Sequence, residues 1–331
     1  MTTLHAGIIG LGVGAQHAHA VAGVPDCNIK WLCDFDPAKL EELRPDFPQA
    51  RLTARAEDVL TDPDVGFVVI ASFDHMHTDQ VVMALEHAKH VLVEKPLCQT
   101  QQELDRIVEA LDRFPNLTFQ SNLILRRSPR LMELKQAIDA GEFGDVYYIE
   151  ADYAYGRLYK ITEGWRGKIP YYSVMAGGGI HVIDTVLWLT GKSVVEAQGY
   201  GSRIATRDST FAYDDFQVAL LRMTGGLIAK VSANFACVYP HNHLFAVYGT
   251  KKSFVQNALG AAYLTSRDPA STPVMATTSP WVAKGAFIPR IIEAIRGRAE
   301  PEISRRELLD SMRVCLAIER SIHDGQAVKV T

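Results

Sequence analysis

The chain has 331 residues, with 34 basic and 38 acidic side chains, a formal net charge of −4 and 47% hydrophobic content. This globular usage excludes a disordered chain, a collagen-like repeat and a disulfide scaffold, and the slight acid excess argues against a nucleic-acid partner. At roughly 150 residues per domain the length predicts two domains, and no apolar window approaches the roughly 18 residues of a membrane span. The first apolar segment, Ala6-Gly7-Ile8-Ile9, runs into a glycine turn and reads as a strand rather than a signal peptide. Cysteines at 27, 33, 98, 237 and 315, with no Cys-x-x-Cys pair, read as reduced thiols of a cytoplasmic protein.

In chain order, β-rich runs at 4–9, 28–33, 66–71, 90–93 and 117–121 alternate with helical segments. Asp36 followed by Pro37 reads as an N-cap with proline in the first helical position. Thr100 and Glu103 form a capping box ahead of a helix over 101–113, whose apolar stripe is Leu104, Ile107, Val108 and Leu111. Strands alternating with helices, with unbroken apolar runs, predict a parallel sheet covered on both faces. This is an N-terminal Rossmann domain over residues 1–121.

After residue 122 the rhythm changes. A helix over 128–140 ends at Gly141, and β-like runs follow at 145–155, 194–204, 215–222, 227–237, 243–249 and 252–257. Short turns between them predict an open, mostly antiparallel sheet in an α+β domain, residues 122–331. A helix over 180–190 interrupts the strands, 265–281 reads as a loop, and Ser304 with Glu307 opens a last helix over 305–323. The uncovered sheet face would be apolar, which predicts a homodimer or homotetramer.

Gly10-Leu11-Gly12-Val13-Gly14-Ala15 follows the first strand and opens the first helix. In this spacing Gly10 permits the turn, Gly12 lets the backbone approach a pyrophosphate, and Ala15 lets helix pack on strand. The helix N-terminus adds N–H donors and partial positive charge. Asp34 ends the second strand, where a carboxylate can accept from the adenosine ribose hydroxyls and repel a 2′-phosphate. No arginine stands at Phe35 or Asp36, so NAD is expected over NADP. The plain structural reading is a glycine turn and a capping aspartate. Ser72-Phe73-Asp74 and Glu94-Lys95 also follow predicted strands, at the edge where open α/β sheets bind ligands.

Lys95, with Pro96 keeping it out of a helix, can hydrogen-bond a substrate hydroxyl and stabilise an alkoxide. Further on, three glycines lead into Ile180-His181-Val182-Ile183-Asp184, with His181 in the first helical turn and Asp184 on its face at i+3. Histidine is the natural proton acceptor near neutral pH, although an isolated edge lysine or helix histidine is more often structural. The His-x-His pairs at 17/19, 75/77 and 241/243 lack cysteine or carboxylate ligands at suitable spacing, so no metal is expected. Arg126, Arg127, Arg130, Arg157, Lys160, Arg166 and Lys168 cluster in sequence; converging in space they could bind a phosphate, a uronate or a nucleotide sugar, and otherwise they are solvated and paired.

The order of these motifs resembles the glucose–fructose oxidoreductase / inositol dehydrogenase / rhizopine catabolism (Gfo/Idh/MocA) family over nearly the whole chain. The resemblance implies that Lys95 and His181 flank the carbon that exchanges hydride with nicotinamide, Lys95 polarising the oxygen and His181 moving its proton. It implies that Ser72, Asp74 and His77 belong to a loop beside the adenine and diphosphate. Asn122 and Arg126 resemble an Asn-x-x-x-Arg stretch, and Trp165-Arg166 a pair near the nicotinamide. Many sugar and inositol dehydrogenases of the family carry an Asp four residues before the histidine; here that position is Gly177. Tyr153, Tyr155, Asp184 and His243 are the candidates to complete the substrate site. The cofactor set is thus Gly10, Gly12, Val13, Gly14, Asp34, Ser72, Asp74, His77, Glu94, Lys95, Asn122, Trp165 and Arg166.

The activity implied is NAD-dependent oxidation of a secondary hydroxyl on a sugar, sugar derivative or cyclitol, or the reverse reduction. Two alternatives stay open. An NAD-dependent glycoside hydrolase would release sugar without net NADH. A non-catalytic NAD-sensing protein would bind NAD and turn over no polyol.

Overall fold

The structure is a computed structural model and describes residues 3–330. It divides into two compact units, one running to Ile124 and including Ala283–Leu309, the other Leu125–Val282 together with the chain from Asp310 onward. The return of 283–309 to the first unit carries no signal in the strand rhythm. Its helix Ile288–Ile295 packs on helix Gly14–Ala22, and Arg296 donates to the carbonyls of Pro25 and Asp26.

Six strands form the sheet of the first unit: β1 (Leu4–Ile9), β2 (Cys27–Cys33), β3 (Arg51–Thr53), β4 (Phe67–Ile70), β5 (His90–Val93) and β6 (Phe119–Ser121). All pairs are parallel and the order is β3-β2-β1-β4-β5-β6, with the reversal between β1 and β4. β4 is buried at every residue, which is why its sequence, Phe-Val-Val-Ile, shows no alternation. The sequence rhythm misses β3 because its three residues are too few to show a period. Both helix starts read from sequence are present. Asp36 accepts from the Ala38 N–H ahead of helix Pro37–Leu43, and Thr100 with Glu103 makes the reciprocal capping box of helix Gln101–Arg113.

Register decides what lies at the ligand edge. Ile9 pairs with Cys33 and Ile70, Ile70 pairs with Val93, and Val93 pairs with Ser121. The residues that follow these strand ends, Gly10, Asp34, Ala71-Ser72, Glu94-Lys95 and Asn122, therefore stand in one row at the carboxyl edge. The row is centred on the switch point between β1 and β4, where such sheets bind their ligands.

The second unit carries β7 (Val146–Ala154), β8 (Val194–Ser202), β9 (Phe216–Met223), β10 (Ile228–Asn234), β11 (Asn242–Gly249), β12 (Ser253–Asn257), β13 (Gly260–Leu264), β14 (Val274–Met275) and β15 (Val328–Lys329). Their order is β14-β13-β12-β11-β7-β10-β9-β8-β15, antiparallel throughout except for the parallel pair β7–β10. The short β14 lies inside the stretch expected to be loop. Helix Ile180–Thr190 covers one face of β7 and β10, and Ile149, Ala151, Val231 and Ala233 point into that core. The other face bears the stacked Tyr148 and Tyr248, the exposed Leu220, Ile228 and Tyr200, and Lys230 bridging Glu150 and Asp152. Among the described residues no helix is long and apolar enough to cross a membrane.

Candidate active site

The glycine loop of the first unit is shaped for close approach. Gly10 has φ +86°, and a Cβ there would lie 2.2 Å from the Ala71 carbonyl oxygen, so only glycine makes this turn beside β4. A Cβ at Gly12 would meet nothing within 4 Å; the loop is open on the side where a pyrophosphate would come. Val13 is the N-cap of helix Gly14–Ala22 and no side chain caps its first turn, which leaves main-chain donors for an anion. The buried Gly14 seats this helix against Ile8 and Ala71. These features fit a dinucleotide.

Asp34, 3% exposed, accepts from Leu11 N (2.7 Å), Asp36 N (3.0 Å) and Lys39 Nζ (3.2 Å). It thereby fixes the glycine loop to the end of β2. A carboxylate has about four acceptor positions, so most of its capacity is engaged, and the half-exposed Lys39 is its most exchangeable partner. Sequence reading looked for a cation at the next two positions. It missed Lys39 because the helix start at Pro37 brings that side chain back over β2.

Around the next two strand ends the fastening continues. Ser72 donates from its hydroxyl to Gln80 (2.7 Å). His77 is fully buried, its ring nitrogens 2.7 Å from the Pro96 carbonyl and 3.2 Å from that of Ser72. It ties the loop after β4 to the Lys95-Pro96 segment through main chain, so its part at this edge is to position those loops. Asp74 is buried in the same loop. Glu94 receives His17 Nε2 (2.9 Å) and Asn122 Nδ2 (2.7 Å) on one oxygen. Burial alone would raise its carboxyl; the His17 bond and charge, the Lys95 charge and the Asn122 bond outweigh this and hold it below the usual carboxylate range. Lys95 is half-buried beside this ionised group. The His17 bond, like Lys39, was not foreseen: only register brings the first helix and the end of β5 together.

In the second unit register again gathers the candidates. His243 pairs with Tyr153 across β11 and β7, on the face that helix Ile180–Thr190 covers. The Tyr153 ring lies 5.2 Å from His243, 6.2 Å from His181 and 5.4 Å from the stacked Tyr155, and His181 stands perpendicular to His243 at 6.1 Å. His241 and Phe235 complete the ring cluster. Among the described residues His243 Nε2 is buried and meets no hydrogen-bond partner, a state that a ligand hydroxyl would relieve. Burial, helped by His241, pushes the His243 imidazole down to about 3, so it is neutral at working pH. Burial likewise pushes the Tyr153 hydroxyl up, keeping it protonated. Trp165 and Arg166 sit together, the guanidinium 4.5 Å over the indole, and Arg166 Nε donates to the Tyr172 hydroxyl (3.0 Å).

One sequence candidate is corrected. Asp184 does not face a substrate: it is fully buried and receives Arg126 through Nε (3.0 Å) and Nη2 (2.7 Å), with Ser311 as a further donor at 3.2 Å. Its place at i+3 from His181 is real, but the helix turns that side chain into the core. The arginine run does not converge either. Arg126 belongs to this ion pair and Arg130 donates to the Thr278 carbonyl, leaving Arg157 over the Tyr155 ring at 5.1 Å and Arg166 beside Tyr172. Tyr172 is the residue that sequence reading missed. A Cβ at Gly177 would lie 2.2 Å from its hydroxyl oxygen, and no spacing rule announces that contact.

Residues 4–120 match the family model described as "Oxidoreductase family, NAD-binding Rossmann fold", and residues 131–255 match the "GFO/IDH/MocA C-terminal domain". The chain belongs to the Gfo/Idh/MocA family. As a member it is an oxidoreductase built on an NAD-binding domain. It is 28% identical over 217 residues to inositol 2-dehydrogenase 2 of Saccharopolyspora erythraea, covering 65% of this chain and 61% of that protein. It is 27% identical over 270 residues to scyllo-inositol 2-dehydrogenase (NAD(+)) of Bacillus subtilis, covering 78% and 75%. The fold matches scyllo-inositol dehydrogenase from Lactobacillus casei, solved with NAD(H) and scyllo-inositol, with a TM-score of 0.83, 20% identity and 99% of both chains covered. These relatives lend no support to the glycoside hydrolase or sensor alternatives.

Proposed function

We propose that this protein is an NAD-dependent dehydrogenase or reductase acting on a secondary hydroxyl of a sugar, sugar derivative or cyclitol, with Lys95 and His181 as its proton-handling groups. The observation that carries this reading is the row of strand ends in the first unit. There the open glycine loop, Asp34 and the Glu94-Lys95 pair share the ligand edge of one sheet. NAD, when bound, accepts or returns the hydride. The chain's own groups do the rest. The Gly10–Gly14 turn and the helix after it receive the pyrophosphate. Asp34 accepts from the adenosine ribose, Lys39 giving way, and its charge disfavours a 2′-phosphate. Lys95, held charged by the ionised Glu94 beside it, donates to the reacting oxygen and stabilises it as negative charge develops. His181 takes the proton on oxidation and returns it on reduction. Tyr153, Tyr155 and His243 offer hydrogen bonds to the remaining hydroxyls.

The open face of the second sheet, with Leu220, Ile228, Tyr200 and the Tyr148–Tyr248 stack, is the surface we assign to contact with a second copy. Light scattering should report a dimer or tetramer, and a monomer at micromolar concentration would remove that assignment. Five free cysteines accord with a cytoplasmic setting. The test of the function is a screen of sugars, inositols, sugar acids and nucleotide sugars for NAD reduction, followed at the absorbance of reduced nicotinamide. A hit with stoichiometric keto product supports the reading. Sugar release without net NADH would replace it with the hydrolase.

A further inference from the structure

Resting on that reading, we propose that the substrate is an anionic sugar derivative, bearing a carboxylate or phosphate that the second unit receives beside Arg166. Gly177 stands one helical turn before His181, and its Cβ position falls 2.2 Å from the Tyr172 hydroxyl oxygen and 2.5 Å from Cζ. Tyr172 is 1% exposed and packs edge-on against Trp165, Phe211 and Phe235, so it has nowhere to retreat. The turn before His181 therefore admits no side chain, and no acid, at that position. What stands there is a phenol that receives Arg166 Nε at 3.0 Å, with the guanidinium flat over Trp165.

The charge around the ring cluster has one sign. Arg157, exposed, lies over Tyr155, which stacks on Tyr153. Burial dominates at the Tyr153 hydroxyl, but the fields of Arg166 and Arg157 both reach it and pull the other way. His243 adds a neutral imidazole. The acids of the surrounding elements are neutralised where they stand: Asp184 by Arg126, Asp152 by Lys230 and Ser232, Asp215 by the Thr206 N–H and hydroxyl, and Glu319 by Tyr171, Ser173 and Gln217. A neutral polyol brings only hydroxyls to this excess of guanidinium. A carboxylate or phosphate matches its planar donor fork.

The test uses the full-length enzyme loaded with NADH and matched sets of ligands: glucose, galactose and mannose, their uronates and their 6-phosphates. Calorimetry measures binding, and NAD reduction measures turnover. The inference expects one anionic series to bind at least about tenfold more tightly than the parent sugars. The two series separate carboxylate from phosphate. Arg166→Gln should bring the preference towards parity, and Arg157→Gln should reduce it less. Should Arg166→Gln fail to fold, ionic strength replaces it: added salt should weaken the anionic ligand and leave the neutral sugar unchanged. Neutral sugars that bind as well as both anionic series, or turn over with higher kcat/KM, would overturn the inference and leave the dehydrogenase reading standing. An anion preference with no NAD reduction by any sugar would sink the dehydrogenase reading instead.

Discussion

At the carboxyl edge of the first sheet, Asp34, His77 and Glu94 are each fastened by hydrogen bonds to main chain or to a partner side chain. Around Tyr153 the second unit holds its groups differently, by ring contacts among Tyr153, Tyr155, His181, His241 and His243, and leaves His243 Nε2 without a protein partner. The first arrangement presents a fixed surface to a cofactor that does not vary. The second is a set of faces and unspent donors whose selectivity can change with one residue.

Substitutions can break or sharpen that contrast. The largest expected effect lies in neither surface but in the buried pair behind the second. Asp184→Ala leaves Arg126 buried without its counter-ion and should cost about 3–5 kcal/mol, read by chemical denaturation. A cost under about 1 kcal/mol, the scale of an exposed pair, would mean that the pair is solvated. Gly177→Asp drives a side chain into Tyr172 and should destabilise by about 1–3 kcal/mol. Adding Tyr172→Ala should recover part of that loss, and no recovery would contradict the packing described. At the cofactor edge Asp34→Ser should weaken NAD by about tenfold, the scale of a charged hydrogen bond, and relax discrimination against NADP. An unchanged NAD/NADP ratio would remove Asp34 from the ribose.

His243 gives a smaller effect, visible in pH. The unfolded chain protonates this imidazole near 6.5 and the folded chain only near 3. Between those values the unfolded state binds more protons, so the contribution of His243 to stability is complete above pH 6.5 and is lost as pH falls towards 3. His243→Phe should flatten that acid limb of the stability curve. An unaltered limb would mean that the imidazole is hydrated.

Much of the first unit is legible in the sequence because its signals are local. β1 matches its apolar run at both ends, and the capping residues Asp36 and Thr100 sit where their spacing puts them. The glycine turn and Glu94-Lys95 follow strands, and parallel register then aligns them without further information. Helix Ile180–Thr190 and most strands of the second unit are equally readable. What escapes is contact between residues far apart in the chain. Lys39 over Asp34, His17 on Glu94, Arg126 on Asp184 and Tyr172 against Gly177 each depend on how elements pack. Asp184 shows the limit from the other side. Helical spacing put it near His181, and only the direction of its side chain into the core decided its role.

The central claim, that Lys95 handles the reacting oxygen of an NAD-dependent dehydrogenase, is tested most directly by comparing turnover and NAD affinity in Lys95→Ala on a substrate from the screen. The account predicts a fall in kcat of about two decades or more with NAD affinity changed far less. Full turnover in the variant would contradict it.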